Sequence, residues 1–158
     1  MRVAPAGLLA TSLEEAQALS VKVTEVTHNH PEGMKGAAAT ASAVFMARTG
    51  SSADQIREYV TDMYGYDLSR SVDEIRPSYV FNETCQRSVP EALTCVLEAT
   101  TFEDAIRNAI SIGGDSDTVA AIAGGIAEAM FGIPDEIANE VWPKLPLDMR
   151  QVLTRLYA

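Results

Sequence analysis

The chain has 158 residues, enough for one domain with a real hydrophobic core. Its 47% hydrophobic and 22% charged residues describe an ordinary globule rather than a disordered tail. A formal net charge of -10, with no run of five or more basic residues, argues against a nucleic-acid partner.

Helical signals follow one another along the chain. Ser12 and Glu15 read as a capping box that opens a helix to about Thr27. Pro31 suits the first turn of a helix running to Arg48, with Gly50 just past its end. Ser52 and Gln55 open another, with Ile56, Tyr59, Val60 and Met63 on one face. Ser71 starts a short turn stopped by Pro77, Ser88 caps a helix through Leu97, and Thr101 with Asp104 begins one through Ile110. After Gly113-Gly114 comes a small-residue helix, and Pro134 and Leu147 each stand near the start of a short final one. No stretch alternates with period two, so an all-α orthogonal bundle of about seven or eight helices is expected.

LLATSLEEA turns polar too soon for a signal peptide, and the apolar run from Val119 to Ile133 is short for a bilayer and holds Glu128. Cys85 and Cys95 have no metal-ligand spacing and read as reduced, core-type thiols rather than a disulfide. The expectation is a soluble cytoplasmic protein with no membrane partner.

Two polar clusters interrupt this pattern. In SIGGDSDTVAAIAGGIAEAMFG, residues 111–132, Asp115, Asp117 and Thr118 crowd one helix start ahead of a segment that reads as buried core. Asp115 can be a plain N-cap, with Asp117 favoured by the positive end of the helix dipole. Alternatively the three oxygen-bearing side chains hold a hard divalent cation, which removes the repulsion between neighbouring carboxylates. The second cluster, THNHPEG (Thr27 to Gly33), contains both histidines, His28 and His30. These can bond the neighbouring helix ends, ligate a transition metal, or in one case face a ligand. A third polar segment, NETCQRSVPEAL, leads from Asn82 into a helix N-terminus able to receive an anion or simply be capped at Ser88.

The blocks MRVAPAGLL, THNHPEGMKGA, CQRSVPEAL and GGDSDTVAAIAGGIAEAMFG occur in an order and spacing that resembles the ADP-ribosylglycohydrolase family, over nearly the whole chain. The resemblance implies an all-α fold and hydrolysis of the bond between C1″ of ADP-ribose and a protein side chain or small acceptor, with two divalent cations, Mg²⁺ or Mn²⁺. It implies that Asp115, Asp117 and Thr118 are metal ligands and that His28 contacts ADP-ribose, with Gln86 and Ser88 as further pocket residues. It assigns no catalytic residue.

Family members also carry a Gly-Asp block with the catalytic acid and a Thr-Asp-Asp block of further ligands, upstream of the region matched here. Neither precedes the matched blocks in this sequence. The chain is therefore expected to be the C-terminal portion of one glycohydrolase domain, binding cations weakly at most and inactive alone. Its partners would be ADP-ribose or an ADP-ribosylated protein, and a polypeptide supplying the missing N-terminal part or a second copy. The alternative is a non-catalytic helical binding module or remnant with a weak cation or nucleotide site.

Overall fold

The computed structural model describes residues 1–157 and is all-α, with ten α-helices, one 3-10 turn and no strand among the described residues. The helices are α1 (Ala4–Leu9), α2 (Leu13–Thr24), α3 (Pro31–Arg48), α4 (Ala53–Tyr64), α5 (Val72–Ile75), α6 (Cys85–Leu97), α7 (Phe102–Ser111), α8 (Ser116–Phe131), α9 (Asp135–Val141) and α10 (Leu147–Leu156). The helix count exceeds the expected seven or eight because two short segments, Ala4–Leu9 and Val72–Ile75, close complete helical turns of their own. None of the described helices is long and apolar enough to cross a membrane.

Local capping explains most boundaries. Ser52 with Gln55, and Ser71 with Glu74, form reciprocal capping boxes at α4 and α5. At α2 only half of the expected box forms. Ser12 Oγ accepts from Glu15 N–H, but the Glu15 carboxylate turns back to accept from the Thr11 backbone N–H and hydroxyl, at 2.7 and 2.6 Å. That helix stops at Thr24 instead of Thr27; the Thr24 carbonyl still accepts from the N–H groups of Thr27 and His28, at 3.1 and 2.8 Å, so one last turn leads out of it. The expected start of α6 at Ser88 is corrected. The helix begins at Cys85, behind Thr84, whose N–H donates to Asn82 Oδ1 at 2.9 Å. Ser88 and Pro90 then lie inside the helix, and Ser88 Oγ donates to the Thr84 carbonyl at 3.0 Å. Pro90 leaves the Gln86 carbonyl without its helical donor. Gln86 itself is exposed, at the solvent-facing start of the helix.

Two apolar helices, α3 and α8, organise the interior. Helix α3 packs against α1, α2, α4, α6 and α8, and α8 packs against α1, α3, α6 and α7. Val119, Ile122, Ala123, Ile126 and Ala127 of α8 meet Ala39, Ala43 and Val44 of α3 and Val89, Leu93 and Val96 of α6 in one core. The alanines and glycines along both helices let the backbones approach closely, which is why these segments carry so little bulk. On α4, Ile56 and Val60 are buried as expected, while Met63 is exposed. The C-terminal helices differ from the body: neither α9 nor α10 buries a residue.

Both cysteines are free thiols. Burial, reinforced by the charges of Glu91 and Glu98, pushes the Cys95 thiol up to about 12, so it behaves as a small core hydrophobe. Among the described residues, Glu91 is the charged group buried most deeply. It is held by Arg70 at 2.6 Å, with 3% of its side chain exposed. Such a pair is expensive to break because the carboxylate would be left buried and unpaired.

Candidate functional site

A cavity of about 350 Å³ opens where the N-terminal turn, the α2–α3 junction, the start of α6 and the start of α8 meet. Its polar wall includes Arg2, His28, Glu83, Ser88, Asp115 and Thr118, and Val89 and Ile122 add apolar surface. The two clusters singled out in the sequence therefore share one concavity, although all of α3 to α7 lies between His28 and Asp115 in the chain.

Each wall is set by its local backbone. Gly113 and Gly114 both take left-handed conformations, with φ of +75° and +64°, and turn the chain so that Asp115 stands at the N-cap of α8. A methyl group on Gly114 would come within 2.6 Å of Tyr79 Cε1, so the turn lies directly on that buried ring. Burial raises the Tyr79 hydroxyl above the ordinary range, helped by the charges of Glu91 and Asp115. Asp115 occupies the N-cap position, yet its side chain makes no capping hydrogen bond. Its carboxylate is therefore not committed to the helix end. Asp117 is exposed and is not among the residues lining the cavity. Interaction with the Asp115 carboxyl, and then the Thr118 backbone N–H, hold it below the usual carboxylate range.

At the α2–α3 junction the histidines separate in role. His30 is the N-cap of α3, and its Nδ1 accepts from the Glu32 N–H at 3.2 Å. His28 lines the cavity and is hydrogen-bonded through Nδ1 to Thr27 Oγ1 at 2.7 Å, while Arg2 Nη2 donates to the same oxygen at 2.9 Å. Ser88 is buried in the wall, whereas Gln86 is exposed and outside the lining. Arg2 and Glu83 complete the polar wall. Arg2 was not legible as a site residue because it lies 25 positions from Thr27, and only the return of α1 and α2 brings them together.

Asp115 and Thr118 offer oxygen donors of the kind a hard cation takes, and the uncapped Asp115 carboxylate suits that use. They are a partial set. Among the described residues no three His, Cys, Asp or Glu side chains converge in a group that could hold a metal.

A model of the ADP-ribosylglycohydrolase family matches residues 1–157. The chain is also 27% identical, over 157 residues, to the ADP-ribosylarginine hydrolase Tri1 of Pseudomonas putida (strain GB-1). That match covers 90% of this chain but 41% of the relative, so the chain spans about two-fifths of the relative's length. With the match running through both polar clusters and every wall of the cavity, this chain belongs to the ADP-ribosylglycohydrolase family.

Proposed function

We propose that the cavity receives ADP-ribose and that the chain furnishes the C-terminal portion of a glycohydrolase domain acting on the C1″ glycosidic bond of ADP-ribosylated proteins or small acceptors. The observation that carries this reading is the meeting of Asp115 and Thr118 with His28 and Arg2 in one cavity of a chain matched to the family along its length. Asp115 and Thr118, with Asp117 beside them, would hold Mg²⁺ or Mn²⁺. When bound, such cations supply Lewis-acid polarisation and orient the ribose and water. His28 and Ser88 contact the ligand, and the carboxylates of Asp115 and Glu83 accept from its hydroxyl groups.

Hydrolysis also needs a group that guides water or protonates the leaving group. Asp115 is assigned to the cation and Glu83 belongs to no motif that marks a general acid, and losing a general acid costs on the order of a hundred- to ten-thousand-fold. We therefore infer that the chain alone turns over poorly and that a second polypeptide, or a second copy, completes the site. A non-catalytic binding module is the second reading, favoured by the partial donor set.

Calorimetric titration with Mn²⁺ tests the metal reading. Weak binding is expected, lost in Asp115→Ala and reduced in Asp117→Ala; unchanged binding in the double variant would sink it. Incubation with an ADP-ribosylated protein and Mg²⁺ tests the rest. Little ADP-ribose should be released by the chain alone, and sustained turnover lost in Asp115→Ala would refute the inferred inactivity.

A further inference from the structure

The Thr27 hydroxyl has one proton and two lone pairs, and its partners decide how they are used. Arg2 Nη2, 2.9 Å away, can only donate, so it takes a lone pair. The remaining contact, 2.7 Å to His28 Nδ1, can run in either direction. A guanidinium already bonded to the oxygen polarises the hydroxyl, making it a stronger donor and a poorer acceptor. The same positive charge favours a lone pair, rather than an N–H, on the nearby ring nitrogen. Both effects point the same way: Thr27 donates and His28 Nδ1 accepts.

We propose that Arg2 and Thr27 are positioning residues that hold the neutral His28 ring with its proton on Nε2, leaving that N–H as a donor for an anionic phosphoryl oxygen in the cavity. The ligand half of this statement rests on the ADP-ribose reading above; the tautomer does not. Two further features fix the main chain that carries the ring. The His28 backbone N–H donates to the Thr24 carbonyl at 2.8 Å. Gly33 also lines the cavity, and a methyl group there would stand 3.1 Å from the His28 carbonyl oxygen. Arg2 and Nε2–H are both donors, so the chemistry they select together is an acceptor with negative charge.

Long-range proton–nitrogen correlation NMR on histidine-labelled protein reads the tautomer directly, at a pH well above the ordinary histidine value of about 6.5. The chain's two histidines give two ring patterns, and His30→Asn assigns them. His30 is an internal reference, because Nδ1 accepts a backbone N–H and its neutral ring must carry the proton on Nε2. His28 is expected to show the same form in the unaltered protein. Thr27→Val should populate both forms and weaken ADP-ribose binding by about three- to tenfold, the range for one hydrogen bond, while Thr27→Ser restores both. A His28 ring protonated at Nδ1, or a pattern unchanged in Thr27→Val, would overturn the proposal. ADP-ribose should move the His28 Nε2 signal and leave His30 still. If the tautomer is found but ADP-ribose moves neither ring, the ligand reading fails and the positioning stands.

Discussion

At Gly114 the backbone takes φ of +64° with the Tyr79 ring lying against it, while Gly113, at φ +75°, has open space where a Cβ would stand. The two residues separate conformational strain from steric overlap. An L-residue in the left-handed region costs about 1–2 kcal/mol, and that is the expected loss for Gly113→Ala. Gly114→Ala adds overlap with a buried ring, and overpacking costs roughly a further 1–3 kcal/mol. Urea unfolding of the two variants should rank Gly114→Ala as the worse by that margin. Equal losses would mean that the Tyr79 ring yields freely. Gly114→Ala should also weaken Mn²⁺ binding more than Gly113→Ala, because it displaces the turn that carries Asp115. The doublet was legible as a chain break; the ring beneath it was not, since Tyr79 arrives from the loop between α5 and α6.

Helices differ sharply in what they contribute. Leu93 of α6 is fully buried in the main core, and Leu93→Ala should cost about 2–5 kcal/mol. By contrast α10 buries no residue fully; Arg150, Leu153 and Leu156 are half-buried, and the Tyr157 hydroxyl just past its end bonds to Glu128. A variant ending at Leu145 should therefore lose clearly less than Leu93→Ala, because only half-buried side chains and one exposed polar contact go with it. Chemical unfolding of the two variants checks the contrast, and a loss from the shortened chain comparable to Leu93→Ala would show that α10 is integral to the core. Caps made the starts of α3, α4, α5 and α7 readable from sequence, because Ser, Thr and Pro act on their own neighbours. Helix α6 was misplaced because Ser88 and Pro90 form a local start signal that longer-range packing of Val89, Leu93 and Val96 overrides.

Over the whole molecule, the net charge of -10 repels an anionic ligand that Arg2 and His28 attract locally. Raising ionic strength from about 0.01 M to about 0.15 M shortens the Debye length from roughly 30 to 8 Å. That screens the distant carboxylates more than the contacts inside the cavity. ADP-ribose affinity at a fixed, saturating Mg²⁺ concentration should therefore hold steady or rise with added NaCl. A steep fall would indicate that a few local cations dominate the field.

Sequence by itself determined the helical class, most helix starts and the identity of the two polar clusters, because capping, periodicity and turn chemistry act over a few residues. The family resemblance named Asp115, Thr118 and His28 for the same reason: their motifs are contiguous. Tertiary structure decided that those clusters share a cavity, that Asp117 and Gln86 stand outside its lining, and that Arg2 joins His28 through Thr27. These facts depend on how α3 and α8 pack through their small residues, and close approach between distant segments leaves no periodic trace along the chain.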